Sequence, residues 1–100
     1  MIQEIECVGD RAQIALNGKI YSVDVPDIHQ RLNDYLDRGY HELVLELAGV
    51  KYLNSDCLGV LVQIHRRAVA QGGGVTIAGM RGIVAELFAM TRLTKVFRIQ

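Results

Sequence analysis

The chain predicts an α/β fold, a mixed sheet of about five strands with about three helices packed against it. Three features carry that reading. The first stretch alternates in polarity and is broken by turn residues, as a hairpin is. From Asp24 the apolar residues switch to helical spacing, and two later segments repeat it. Between and after the helical segments lie short, almost continuously apolar runs of the kind that form buried strands. The order ββαβαβαβ implies a sheet of mixed direction.

Ile2 to Val8 reads as a strand, Gly9-Asp10 as a turn, and Ala12 to Leu16 as the returning strand. Asn17-Gly18 marks a further turn or bulge before Ile20. Val25, Ile28, Leu32, Tyr35 and Leu36 fall on one face of a first helix. Asp24 is its expected N-cap, Pro26 is tolerated in its first turn, and Gly39 is placed to end it in a left-handed conformation. Leu43 to Leu47 reads as a central strand that ends in a loop. A second helix is expected over Asp56 to Gln71, with Leu58, Leu61, Val62, His65 and Ala68 or Val69 inward. Gly72-Gly73-Gly74 stops it, and Val75 to Ala78 returns as a strand. A third helix is expected over Ile83 to Met90 with Ile83, Leu87 and Met90 facing in, and Met80 and Phe88 at or near the core. Lys95 to Ile99 closes the chain as a last strand.

Length and composition narrow the function. One hundred residues, 50% of them hydrophobic, suit one domain over residues 1–100 with one core. Eleven basic side chains balance eleven acidic ones, so the counterion-release term behind most nucleic-acid binding is missing. No direct nucleic-acid partner is expected. Cys7 and Cys57 have no metal-ligand spacing and are too few for a disulfide scaffold, which suits reduced thiols in the cytoplasm. No apolar run approaches the roughly 18 residues of a membrane span, and the acidic start lacks a signal-peptide core. No membrane association and no cofactor are expected.

The segment richest in signal is Tyr52-Leu53-Asn54-Ser55-Asp56-Cys57-Leu58-Gly59-Val60-Leu61. Three consecutive capping-type residues, Asn54, Ser55 and Asp56, stand at the start of the second helix. Spacing leaves two readings open. One of the three caps the helix, or Ser55 is a phosphorylation site, because unpaired amides and the positive dipole end accommodate a phosphate there.

This segment resembles the signature of STAS domains, specifically the single-domain anti-sigma factor antagonists. There a strand leads into φ-φ-Asp-Ser-Ser/Thr-Gly-Leu-Gly-φ-Leu (φ apolar), whose first Ser is phosphorylated. Gln71-Gly72-Gly73 before Val75 to Ala78 resembles the family's Gly-Gly before its next strand. Glu86 to Leu93 with Val96-Phe97 is similar to its late helix segment. The resemblance covers about residues 12–99. Departures are Asn54 for the usual Asp, Asp56 for Ser/Thr, Cys57 for Gly, and Arg92 for the late Gly.

The resemblance implies a non-enzymatic partner-switching regulator. A serine kinase of the histidine-kinase-like ATPase type, itself the anti-sigma factor, would phosphorylate Ser55. A PP2C-type phosphatase would reverse it, and the unmodified form would bind the kinase. Asn54, Asp56 and Cys57 would flank the site, with Leu58 and Gly59 in the docking surface. Lys19 and Tyr21 would belong to the loop before the first helix, which also touches the kinase. The alternative on the same fold is a constitutive docking subunit, such as one on the ATPase of a lipid ABC transporter.

Other residues read more plainly. His29, His41 and His65 lack ligand spacing and suit surface or satisfied-core roles. No G-x-S-x-G elbow surrounds Ser55, so a hydrolase nucleophile is disfavoured. The glycine triplet lacks the Lys and Ser/Thr of a phosphate loop. Arg66-Arg67 suits a solvated helix face. Cys57 reads as a small apolar residue, with a redox role as the alternative because a helix start lowers a thiol pKa.

Overall fold

The computed structural model describes residues Met1 to Gln100. Strands β1 (Ile2–Val8) and β2 (Arg11–Ile20) form the hairpin, antiparallel and bulged between Glu4 and Glu6. A 3-10 turn, Ser22–Asp24, leads into α1 (Val25–Asp37), then β3 (Glu42–Leu53) and α2 (Ser55–Ala70). Strand β4 (Gly74–Ala78), α3 (Gly82–Met90), a 3-10 turn at Leu93–Lys95 and β5 (Arg98–Ile99) complete it. The sheet order is β1-β2-β3-β4-β5, with every pair after the first parallel. The expected mixed five-stranded sheet with three helices is the fold observed.

Register explains why one face is apolar. Ala12 pairs with Leu43 and Ile14 with Leu45, and Leu43 and Leu45 pair in turn with Val75 and Ile77. Strand side chains alternate, so these apolar groups share one face with Leu16 and Leu47. Ile28, Leu32 and Leu36 of α1, Leu61, Ile64 and Ala68 of α2, and Val84 and Phe88 of α3 close over them in a single buried cluster. Removing each large side chain from water contributes about 1.5–3 kcal/mol, which is what holds three short helices against the sheet. The other face carries Gln13, Val44, Glu46 and Thr76.

Several elements differ from expectation for identifiable reasons. Strand β3 does not end at Leu47 but runs on to Leu53, paired with β2 as far as Ile20. Of the turn or bulge expected at Asn17-Gly18, the structure has the bulge, inside that pairing. Asp24 stands at the N-cap position of α1, yet its carboxylate reaches back to the Tyr21 amide at 3.0 Å. The 3-10 turn ahead of α1 claims it. In α2 the inward residues are Cys57, Leu58, Leu61, Ile64 and Ala68, while Val69 is exposed. In α3 the buried residues are Val84 and Phe88, and Ile83 and Met90 face solvent. Strand β5 keeps only Arg98 and Ile99, because the 3-10 turn takes Lys95 and Phe97 drops into the core. Arg92 itself takes the left-handed conformation (φ 59°) where the family's pattern has glycine.

Two glycines are fixed by geometry. Gly39 ends α1 at φ 95°, with Tyr40 N–H donating to the Tyr35 carbonyl as the chain reverses. Gly73 lies against the His41 backbone so closely that a Cβ would collide with its carbonyl. Arg67, expected on a solvated face, instead donates to Asn33 Oδ1 at 2.7 Å and to Asp37, tying α2 to α1. No helix is long and apolar enough to cross a membrane.

His65 is a structural acceptor. Its Nδ1 accepts the Val75 amide at 3.0 Å, and its ring meets Phe97 edge-on at 5.3 Å. Burial, then the nearby Arg98, hold its pKa below the ordinary 6.5. The unfolded chain therefore takes up the proton first as pH falls, so this contribution is present above about pH 6.5 and is lost below it. Urea midpoints are expected to fall between pH 7.5 and 5.5 more steeply for wild type than for His65→Asn. Parallel midpoints would contradict the assignment.

Candidate functional site

A single residue separates β3 from α2. Asn54 is extended (φ −94°, ψ 174°), and its Oδ1 accepts the Cys57 amide at 3.0 Å. That bond satisfies one of the first-turn amides that lack a partner inside the helix. Of the three capping-type residues in a row, Asn54 is the one that caps. Ser55 is left as the first helical residue, exposed, and the hydrogen bonds of the site pass its hydroxyl by.

The neighbouring residues divide into anchors and surface. Cys57, expected to flank the site, and Leu58, expected in the docking surface, are only 0% and 6% exposed. Their side chains join the core and fix the helix start, so they offer no contact surface. Burial also pushes the Cys57 thiol up to about 11, opposite to the lowered pKa that a redox role at a helix start calls for. Gly59, one turn beyond Ser55, is exposed, and a Cβ there would meet nothing.

Parallel pairing brings the second segment in. Lys19 lies opposite Tyr52 and Ile20 opposite Leu53, so β2 and β3 end side by side. Both Lys19 and Tyr21 are exposed here, and the Tyr21 ring sits 5.8 Å from that of Tyr52. The next residue, Ser22, is the link that sequence reasoning missed. Its Oγ accepts from Asn54 Nδ2 at 2.8 Å and donates to Asp56 Oδ2 at 3.0 Å. Val23, 84% exposed, extends the patch. Nothing in the local pattern around Ser22 distinguishes it; only the strand register places it between residues 54 and 56.

The site is therefore a polar bridge, Asn54–Ser22–Asp56, spanning the exposed Ser55 and bordered by Tyr21, Val23 and Tyr52. Asp56 adds an acidic side chain within the first turn, where the helix dipole favours negative charge.

Loss of the cap is expected to weaken the fold. Asn54→Ala should cost about 1 kcal/mol in urea unfolding, from the cap bond. Ser55→Ala, which removes no bond, should stay within about 0.5 kcal/mol of wild type. Equal losses for the two would contradict the division of roles.

Comparison with known proteins agrees with the geometry. Two relatives, from Thermotoga maritima and Thermotoga neapolitana, are each 27% identical over 67 residues and are provisionally named anti-sigma factor antagonists. The match takes in 67% of this chain and 59% of each relative's length. A crystal structure of a Thermotoga maritima protein given the same provisional name superposes with TM-score 0.89 at 22% identity, covering 98% of this chain and 84% of that one. The anti-sigma factor antagonist SpoIIAA in its unphosphorylated form superposes with TM-score 0.80 at 13% identity, covering 100% of this chain and 87% of that one. At these identities the structures speak to the fold. The STAS domain family model matches residues 3–100, and the chain belongs to that family.

Proposed function

We propose that this chain is an anti-sigma factor antagonist of the partner-switching kind, a STAS domain regulated by reversible phosphorylation of Ser55. The observation that supports this best is an exposed serine hydroxyl at a capped helix start, set among the exposed side chains of Tyr21, Val23 and Tyr52. The partner is a serine kinase of the histidine-kinase-like ATPase type that also serves as the anti-sigma factor. The unmodified chain binds it and frees the sigma factor. A PP2C-type phosphatase restores that form.

The switch is electrostatic. A phosphate adds roughly −1.5 to −2 charges and strong acceptor oxygens to the patch. Asp56 already contributes one negative charge beside it. A partner that docks over Tyr21 and Tyr52 must then desolvate or repel the added charge. A penalty of about 3 kcal/mol weakens binding by more than a hundredfold. The chain acts as substrate and ligand rather than as catalyst, and needs no cofactor for either role.

Intact mass after incubation with ATP and the kinase tests the reading. Phosphate located by fragmentation is expected at Ser55 in wild type and is absent from that position in Ser55→Ala, with kinase binding retained by the alanine variant. A chain that binds its partner yet accepts no phosphate would overturn the switch. It would favour a constitutive docking subunit, such as one on a lipid transporter ATPase.

A further inference from the structure

The chain contains two serines, Ser22 and Ser55, and the fold sets them in one site. Their chemical situations differ. Ser55 Oγ engages no carboxylate. Ser22 Oγ–H donates to Asp56 Oδ2 at 3.0 Å, and Asn54 Nδ2 holds the same oxygen from the other side at 2.8 Å. A hydroxyl hydrogen-bonded to a carboxylate, and fixed in place by a third group, is the arrangement that activates an oxygen nucleophile. Ser22 and Asp56 are both exposed, so an incoming phosphoryl group can reach them.

We propose that Ser22 is a phosphate acceptor of this site, with Asp56 as the base that takes its proton. The proposal rests on the reading that the chain is a kinase substrate. The donor is a nucleoside triphosphate held by the partner kinase. Ser22 Oγ forms a bond to the γ-phosphorus as the bond from that phosphorus to the β–γ bridging oxygen breaks. The hydroxyl proton passes to Asp56 Oδ2 and the nucleoside diphosphate leaves with the electron pair. No oxidation or reduction takes place.

Modification at Ser22 also changes what the bridge does. The hydroxyl proton that binds the loop to Asp56 is gone, and a dianion faces a carboxylate in its place. Attraction between the β2–α1 loop and the start of α2 becomes repulsion. Tyr21, carried on that loop, loses its fixed position beside Tyr52. A phosphate here would therefore disturb the docking patch through geometry as well as charge.

Trypsin separates the two sites. Cleavage after Lys19 and Arg31 gives a peptide holding Ser22 as its sole serine, and cleavage after Lys51 and Arg66 gives one holding only Ser55. The full chain, tagged at its C-terminus and recovered from its source cells with phosphatase activity blocked, is mapped by fragmentation as wild type, Ser55→Ala, Ser22→Ala and Asp56→Asn. Phosphate is expected on Ser22 in wild type and in Ser55→Ala. Asp56→Asn keeps an acceptor for the hydroxyl but no base, and should lower Ser22 occupancy at least tenfold. Phosphate confined to Ser55 would overturn this proposal and leave the Ser55 switch standing. Phosphate on Ser22 alone would support it and remove Ser55 as the acceptor. Phosphate on neither would overturn both.

Discussion

Parallel pairing of β2 with β3, carried without a break in direction from Arg11 and Glu42 to Ile20 and Leu53, is the constraint from which the site follows. Because the strands end level, whatever follows each must emerge at the same edge of the sheet. After β3 comes α2, with one intervening residue; after β2 comes the 3-10 turn. Neither segment has room to wander. Asn54 then performs two tasks with one side chain, capping α2 through Oδ1 and holding Ser22 through Nδ2. An amide can do both, because it carries an acceptor and donors on separate atoms. The carboxylate usual at this position in the family has acceptors only when ionised, so it could cap the helix but could not donate to Ser22.

The anchoring beneath the surface is apolar. Cys57 and Leu58 sink the first turn of α2 into the core, and Ile20 and Leu53 do the same for the strand ends. Residues that face outward at the same points are left free to serve a partner. Tyr21, Val23 and Tyr52 expose apolar surface that the core does not use, while Lys19, Ser55 and Asp56 supply the polar groups among them. For the proposed switch, a rigid base beneath this surface would leave little of the added repulsion to be relaxed by local movement.

Much of the architecture was legible because local chemistry and tertiary packing agree. The hairpin, the α1 stripe of Ile28, Leu32 and Leu36, and the reversal at Gly39 all follow from patterns that the core then rewards. Where pattern and packing part, the reading failed. Gly49 to Leu53 carries exposed Lys51 and Tyr52 and looks like loop, yet the ladder to β2 keeps it extended. Helix α3 has one charged residue, Glu86, so its pattern could not reveal which apolar side faces in. At the site, Asn54, Ser55 and Asp56 announced a helix start, and the family resemblance singled out Ser55. Ser22 was invisible because its partners lie 32 and 34 residues away and depend on register across two strands.

Amide hydrogen exchange tests most directly whether the loop and the helix start behave as one unit. The amides to follow are Asp24, which donates to the Tyr21 carbonyl, and Cys57, which donates to Asn54. Exchange is compared in wild type, Asn54→Ala and Ser22→Ala. Coupling through the bridge predicts that Asn54→Ala speeds exchange at Asp24 and that Ser22→Ala speeds it at Cys57. If each substitution loosens only its own segment, the bridge does not join them, and the site is two independent surfaces rather than one.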